Sequence, residues 1–146
     1  MNKSVQIING PNLNLLGTRE IEIYGSMSLE EIERNILNHN NQKSYNLKFD
    51  FFQSNTEGEI VSQIQKAKDK FNGLIINAGG LSHTSVAILD ALLAIDIPKI
   101  EVHLSNLYKR EEFRHHSFIS KGVNGIICGF GANSYLLAVD GIVKLI

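Results

Sequence analysis

The stretch Ile7-Ile8-Asn9-Gly10-Pro11-Asn12-Leu13-Asn14-Leu15-Leu16-Gly17-Thr18-Arg19-Glu20-Ile21-Glu22-Ile23-Tyr24-Gly25 decides how the rest of the chain is read. It opens at the end of a buried apolar strand, Val5 to Ile8, and breaks at Asn9-Gly10-Pro11, a turn signal. The following fifteen or so residues show no clear periodicity, and loops of about that length inside a compact domain are usually lids or binding loops. This one holds a cation, Arg19, and a phenol, Tyr24, between Gly17 and Gly25. The competing reading is a surface loop whose Arg19 is merely solvated, and this stretch by itself does not separate the two.

Downstream, strands and helices alternate. Ser28 to Glu31 reads as a capping box opening a helix of roughly a dozen residues, with Leu29, Ile32, Ile36 and Leu37 on one face. It dissolves into the polar run Asn38 to Ser44. A second strand spans Asn46 to Gln53, where alternation suits a less buried position. Thr56 to Glu59 is a further capping-box pattern, opening a helix through Phe71 with the stripe Ile60, Val61, Ile64, Ala67 and Phe71. Gly73 to Ala78 is a third, fully apolar strand, ended by Gly79-Gly80, and Ser82 or Thr84 caps a helix through Ile95. Ile100 to His103 is the fourth strand, followed by a polar connection, Ser105 to Lys121, with a short helix near Glu111 to His115. Gly125 to Cys128 is the fifth, and Ala132 or Asn133 opens a helix reaching Ile146. This alternation predicts an α/β fold, a parallel sheet wound by right-handed crossovers in the order 2-1-3-4-5.

Composition narrows the function classes. The 146 residues suit one domain, 1–146, able to bury a core without disulfides or metal. Fourteen basic against fifteen acidic side chains give a net charge of −1, which argues against nucleic-acid or membrane-surface binding by bulk charge. Cys128 is the single cysteine, has no partner for an internal disulfide, and suits the reducing cytoplasm. Lying in the run Ile126-Ile127-Cys128, it reads as a buried inert thiol. No basic-then-apolar leader follows Met1 and no apolar run approaches membrane-spanning length, so neither secretion nor a membrane role is expected.

In an open parallel sheet, ligands bind beyond the carboxyl ends of the strands. The polar residues there are Asn9 and Asn12, Ser54 and Asn55, Asn77 and His83, and Glu101, His103 and Ser105. Glu101 and His103 are two apart on one strand and so share a face. A carboxylate beside an imidazole raises its basicity and fixes its tautomer, as a general acid–base pair requires; the plainer reading is two polar residues on a half-exposed strand end. A free phenol, with a pKa near 10, is a poor base at neutral pH, whereas a guanidinium beside it stabilises the phenolate. Arg19 and Tyr24 on one loop supply that pair; otherwise Tyr24 is an aromatic plug. His115-His116 lacks a companion ligand pattern and reads as helix surface and interface rather than a metal site. Gly129-Phe130-Gly131 lacks the Walker lysine and the dinucleotide fingerprint. Asp90 falls on a helix, with helix surface as its plain reading.

Four motifs in order give the chain a resemblance. They are Ile8 to Glu20 with Ile23-Tyr24-Gly25; Gln53-Ser54-Asn55 with Glu57-Gly58; Asn77-Ala78-Gly79-Gly80 with His83-Thr84-Ser85-Val86-Ala87; and Glu101 to Asn106 with Arg110 to Ser117. Together they span nearly the whole chain, which resembles the type II 3-dehydroquinate dehydratases of the shikimate pathway. The resemblance implies a flavodoxin-like fold without flavin, no cofactor or metal, and trimers that usually join as a dodecamer of four trimers. It implies that Tyr24 takes a proton beside the ketone of 3-dehydroquinate, with Arg19 favouring the phenolate. His103, oriented by Glu101, would protonate the departing hydroxyl, and Asn12 would hold a water that stabilises the enolate. Asn77 and the backbone amides of Leu104 and Ser105 would receive the substrate carboxylate. His83 and Arg114 would bind ring hydroxyls, and Asp90 would reach in from a neighbouring subunit. The chain departs from the pattern at Ile21, where members commonly carry proline, and at Leu89, where they often carry arginine.

The alternative is a non-catalytic flavodoxin-like binding domain. A receiver-type domain needs an acidic cluster where Asn9 and Asn12 stand, and a flavin-binding one needs a hydroxyl-rich loop where Gly10-Pro11-Asn12-Leu13 stands.

Overall fold

The strands Ser4–Asn9 (β1) and Gly73–Asn77 (β3) are buried along nearly their whole length because helices cover both faces of the sheet centre. The structure, a computed structural model, describes residues 2–146. The remaining strands are Lys48–Gln53 (β2), Lys99–His103 (β4) and Gly125–Cys128 (β5). All pairings are parallel and the order is β2-β1-β3-β4-β5, the flavodoxin-like winding expected from the alternation. The helices are Ile21–Tyr24 (α1), Leu29–Gln42 (α2), Glu57–Lys70 (α3), Val86–Leu93 (α4) and Asn133–Val143 (α5).

Strand alternation divides the core in two. Val5, Ile7, Ile75, Ile100 and Val102 point to one face, where they pack with Ile32 and Ile36 of α2 and Ala138, Val139 and Ile142 of α5. Ile8, Leu74 and Ile76 point to the other, against Ile60 and Ile64 of α3 and Ile88 and Leu92 of α4. β2 lies at an edge, and its intermediate burial matches its alternating sequence. Among the described residues no helix is long and apolar enough to cross a membrane.

Several boundaries differ from the sequence reading for local reasons. α2 runs through the polar stretch to Gln42, because Asn40 is buried and its carboxamide exchanges two hydrogen bonds with the Leu47 backbone (3.0 and 3.1 Å). Ser28 does cap α2, accepting from the Glu31 N–H at 3.2 Å. Thr56 does not cap α3 with its side chain. Ser54 takes over there, accepting from the Thr56 N–H and donating to the Glu59 carboxylate. α4 is capped by Ser85, not Ser82 or Thr84, since Gly79–His83 already forms a 3-10 turn. The connection from Ser105 to Lys121 holds three 3-10 turns rather than one short α-helix. Cys128 is half-buried at the open end of β5 and not sealed in the core as its apolar neighbours suggested.

The first loop is more ordered than its lack of periodicity implied. Leu13 and Leu16 are buried and pin a 3-10 turn to the core below. Gly10 must be glycine: an added Cβ would stand 2.5 Å from the Ala78 carbonyl oxygen. That contact lets the Gly10 N–H reach the Asn77 carbonyl at 2.7 Å, tying the ends of β1 and β3 together. Asn12 (φ 70°) and Glu20 (φ 44°) adopt left-handed backbone, uncommon for side-chain-bearing residues and concentrated at functional sites.

Candidate active site

Past the carboxyl ends of β1, β3 and β4, the first loop and the Ser105–Lys121 connection close around a cleft. It holds about 590 Å³ of space not filled by atoms, counting what is open to solvent. Of the residues expected from sequence, Asn12, Arg19, Tyr24, Asn77, His83, His103, Leu104, Ser105 and Arg114 line it. Glu101 lies directly beneath, fully buried. Asp90 does not join them; it is exposed on α4, outside the cleft of its own chain.

The Glu101–His103 pair is the best enclosed part. Glu101 Oε2 meets His103 Nε2, so the carboxylate holds a proton on that nitrogen and leaves Nδ1 for the cleft. Ser117 and Ser120 donate to the same carboxylate at 2.8 and 2.6 Å, filling its other lone pairs. Burial alone would raise the Glu101 pKa. The hydrogen bond and charge of His103, with the two hydroxyls, outweigh it and hold the carboxyl below its ordinary range. A buried carboxylate kept ionised in this way is a fixed negative charge beside the imidazole.

His83 stacks on His103, ring centroids 6.2 Å apart and planes at 22°. Its Nδ1 donates to the His116 carbonyl at 2.8 Å, which places the proton there and leaves Nε2 as an acceptor. Burial pushes its pKa down, aided by the nearby His103 and Arg114 charges and opposed by the His116 carbonyl and Glu101. His83 is therefore neutral at pH 7.

On the opposite wall, α1 presents Tyr24 from the loop. Arg19 stands 5.3 Å from the ring centroid and also pairs with Glu20 at 3.1 Å. Arg110 stands 5.2 Å from the same ring, and its Nη1 donates to the Ser105 hydroxyl at 3.2 Å. Glu111 approaches Arg110 at 3.5 Å and accepts from Arg114 Nε at 3.0 Å, holding two cleft guanidiniums together. The Asn12 N–H donates to Asn55 Oδ1 at 3.0 Å, and Gln53 Nε2 donates to that same oxygen and to the Gly10 carbonyl. These bonds support the left-handed turn at Asn12.

Sequence reasoning assigned no role to Arg110, Ser117, Ser120 or Tyr135. Arg110 and Ser117 carried a signal, since both fall inside the fourth motif. Ser120 and Tyr135 had none, because their partners lie 19 and 126 residues away. His115 and His116, read as surface, are exposed, and His115 Nε2 bonds the Arg110 carbonyl at 3.0 Å. Ile21 is the first helical residue of α1, a position that favours proline, and its side chain is exposed. Leu89 lies beside Gly122 in the connection before β5.

The sequence profile of the Dehydroquinase class II family matches residues 3–143. A 3-dehydroquinate dehydratase of Prochlorococcus marinus (strain NATL1A) is 56% identical over 138 residues, 94% of each chain. Among solved structures, the type II dehydroquinase of Butyrivibrio crossotus DSM 2876 superposes with a TM-score of 0.92 at 42% identity, covering 97% of both chains. That of Propionibacterium acnes gives 0.92 at 37% identity, covering 99% of this chain and 98% of its own. With the parallel sheet and the cleft at its strand ends, these matches establish that the chain belongs to the class II dehydroquinase family.

Proposed function

We propose that the chain removes water from 3-dehydroquinate by two positioned proton transfers through an enolate. The activity is that of a hydro-lyase, a step of the shikimate pathway, and the product is 3-dehydroshikimate. Tyr24, as phenolate, takes the proton beside the ketone, and Arg19 and Arg110 favour its charged form. The enolate that forms is stabilised by a water held on Asn12. Its electrons return to expel the ring hydroxyl, which leaves as water with a proton from His103. Glu101 keeps the imidazole oriented and balances its charge. Asn77 and the amides of Leu104 and Ser105 receive the substrate carboxylate, and His83 and Arg114 take ring hydroxyls.

The observation that carries this reading is one cleft flanked by a phenol under two guanidiniums and by an imidazole on a buried carboxylate. Such a route runs on charge stabilisation and proton transfer, with no covalent attachment and no cofactor. Residues 1–146 act as one catalytic domain. It works in the cytoplasm as a trimer, four trimers forming a dodecamer, with Asp90 completing the site of a neighbouring subunit. The test is to add 3-dehydroquinate to the purified protein and follow ultraviolet absorbance of the conjugated enone. No absorbance change at micromolar enzyme would reject the activity.

A further inference from the structure

One buried phenol near the cleft has no part in this chemistry. Tyr135, in the first turns of α5, is fully buried and reaches the ends of β1 and β3 from the face opposite His103. Its oxygen accepts from Asn77 Nδ2 at 3.0 Å, and its proton goes to Asn9 Oδ1. The direction of this chain is fixed by one backbone group. The Gly79 N–H can only donate, and it binds Asn77 Oδ1 at 3.1 Å. That turns Asn77 Nδ2 toward Tyr135, makes the phenol oxygen an acceptor, and sends the phenol proton on to Asn9. Burial pushes the Tyr135 pKa far above the ordinary phenol range, against the Asn77 bond, so the hydroxyl stays protonated. Asn77 Nδ2 carries a second hydrogen, and Asn77 lines the cleft.

We infer that Tyr135 is a positioning residue, which locks the Asn77 carboxamide so that its second N–H faces the cleft as an obligatory donor. The inference rests on the reading that Asn77 receives the substrate carboxylate, and it assigns the selection of that acceptor to a residue on α5. A side chain locked at both atoms cannot turn its oxygen toward an incoming anion. Freed on one side, the amide leaves a buried group unpaired and loses its aim.

Tyr135→Phe keeps the ring and removes the oxygen. The expected result is a rise in KM of about tenfold with kcat within about twofold, the pattern of binding lost equally from ground and transition states. The pH–rate profile should stay in place. Calorimetric affinity for quinate, a ring carboxylate, should fall by the same factor. This readout needs no turnover, so an inactive wild type that binds quinate would reject the reaction and still test the lock. In an Asn77→Ala background, Tyr135→Phe should add less than about twofold, because coupled residues are not additive. If the two effects multiply instead, Tyr135 acts elsewhere and the inference fails. Should Tyr135→Phe not fold, Asn9→Ala removes the acceptor of the phenol proton and should weaken quinate binding about threefold. Unchanged quinate affinity in either folded variant overturns the lock.

Discussion

Arg110 and Tyr24 are 86 residues apart in sequence, yet the guanidinium carbon of Arg110 lies 5.2 Å from the centroid of the Tyr24 ring. Arg19, only five residues from the phenol, is no closer at 5.3 Å and shares its charge with Glu20. A cation over an aromatic ring stabilises negative charge developing on that ring system. Both cations should therefore help generate the base. Arg19→Ala and Arg110→Ala should each lower kcat, because each removes a positive charge from beside the proposed base. Arg110→Ala should cost more, as Glu20 already offsets part of the Arg19 charge. The check is the steady-state kcat of each variant at neutral pH; a kcat left unchanged by Arg110→Ala would confine the effect to Arg19.

Tyr24→Phe should lower turnover by about 10²–10⁴-fold, the contribution typical of a general base. Tyr24 is only half-buried, so deleting one oxygen removes little packing. Substrate affinity and thermal stability should stay near wild type. Steady-state kinetics beside a melting curve separates the two effects, and a variant retaining half the activity would put the base elsewhere.

Glu101 links the site to acid stability. Its folded pKa lies below the ordinary value, so at neutral pH the carboxyl is ionised both folded and unfolded. Below the free value of about 4.3, the unfolded chain takes up a proton that the folded chain refuses. Stability must then fall with pH until the folded pKa is passed. Glu101→Gln should be less stable at pH 7 but flatter between pH 5 and 3. Two other carboxyls are also lowered, Asp140 and the exposed Glu111, the latter by its own backbone N–H and by Arg110 and Arg114. Burial alone would raise Asp140, but hydrogen bonds from His39 and Tyr45 hold it below its ordinary range. Urea midpoints at three pH values decide the matter, and a slope unchanged in Glu101→Gln would assign the acid sensitivity to Asp140 and Glu111.

Asp90 lies outside its own chain's cleft, and its proposed role in a neighbour's site can be tested by mixing. Tyr24→Phe chains and Asp90→Ala chains, each nearly inactive alone, would be dissociated together and reassembled. In a head-to-tail ring, random equal mixing leaves about one site in four with both wild-type residues. Activity should rise to about a quarter of wild type. Activity that stays at the parents' average means Asp90 serves its own chain's site.

The winding order and the ends of the central strands were legible in the sequence, because both signals are local. A strand buried on both faces must be an unbroken apolar run, as Leu74-Ile75-Ile76 is, and capping and periodicity mark the helices between. Glu101 and His103 could be paired from spacing, since a strand puts alternate residues on one face. Tyr24 and Arg19 could be named from their loop as a phenol and a cation, and Asn77, His83 and Ser105 from the strand ends, but their particular roles came from whole motifs, because a loop has no period from which to read direction. The tertiary structure alone decided what surrounds these groups. The two hydroxyls on Glu101 come from the connection before β5, the second guanidinium on Tyr24 from beyond β4, and the phenol on Asn77 from α5. Each is a hydrogen bond or charge contact between segments distant along the chain, and its partner is set by how helices pack on the sheet. Sequence spacing carries no trace of such contacts: backbone periodicity dictates which face a residue takes, and only packing dictates what it meets there.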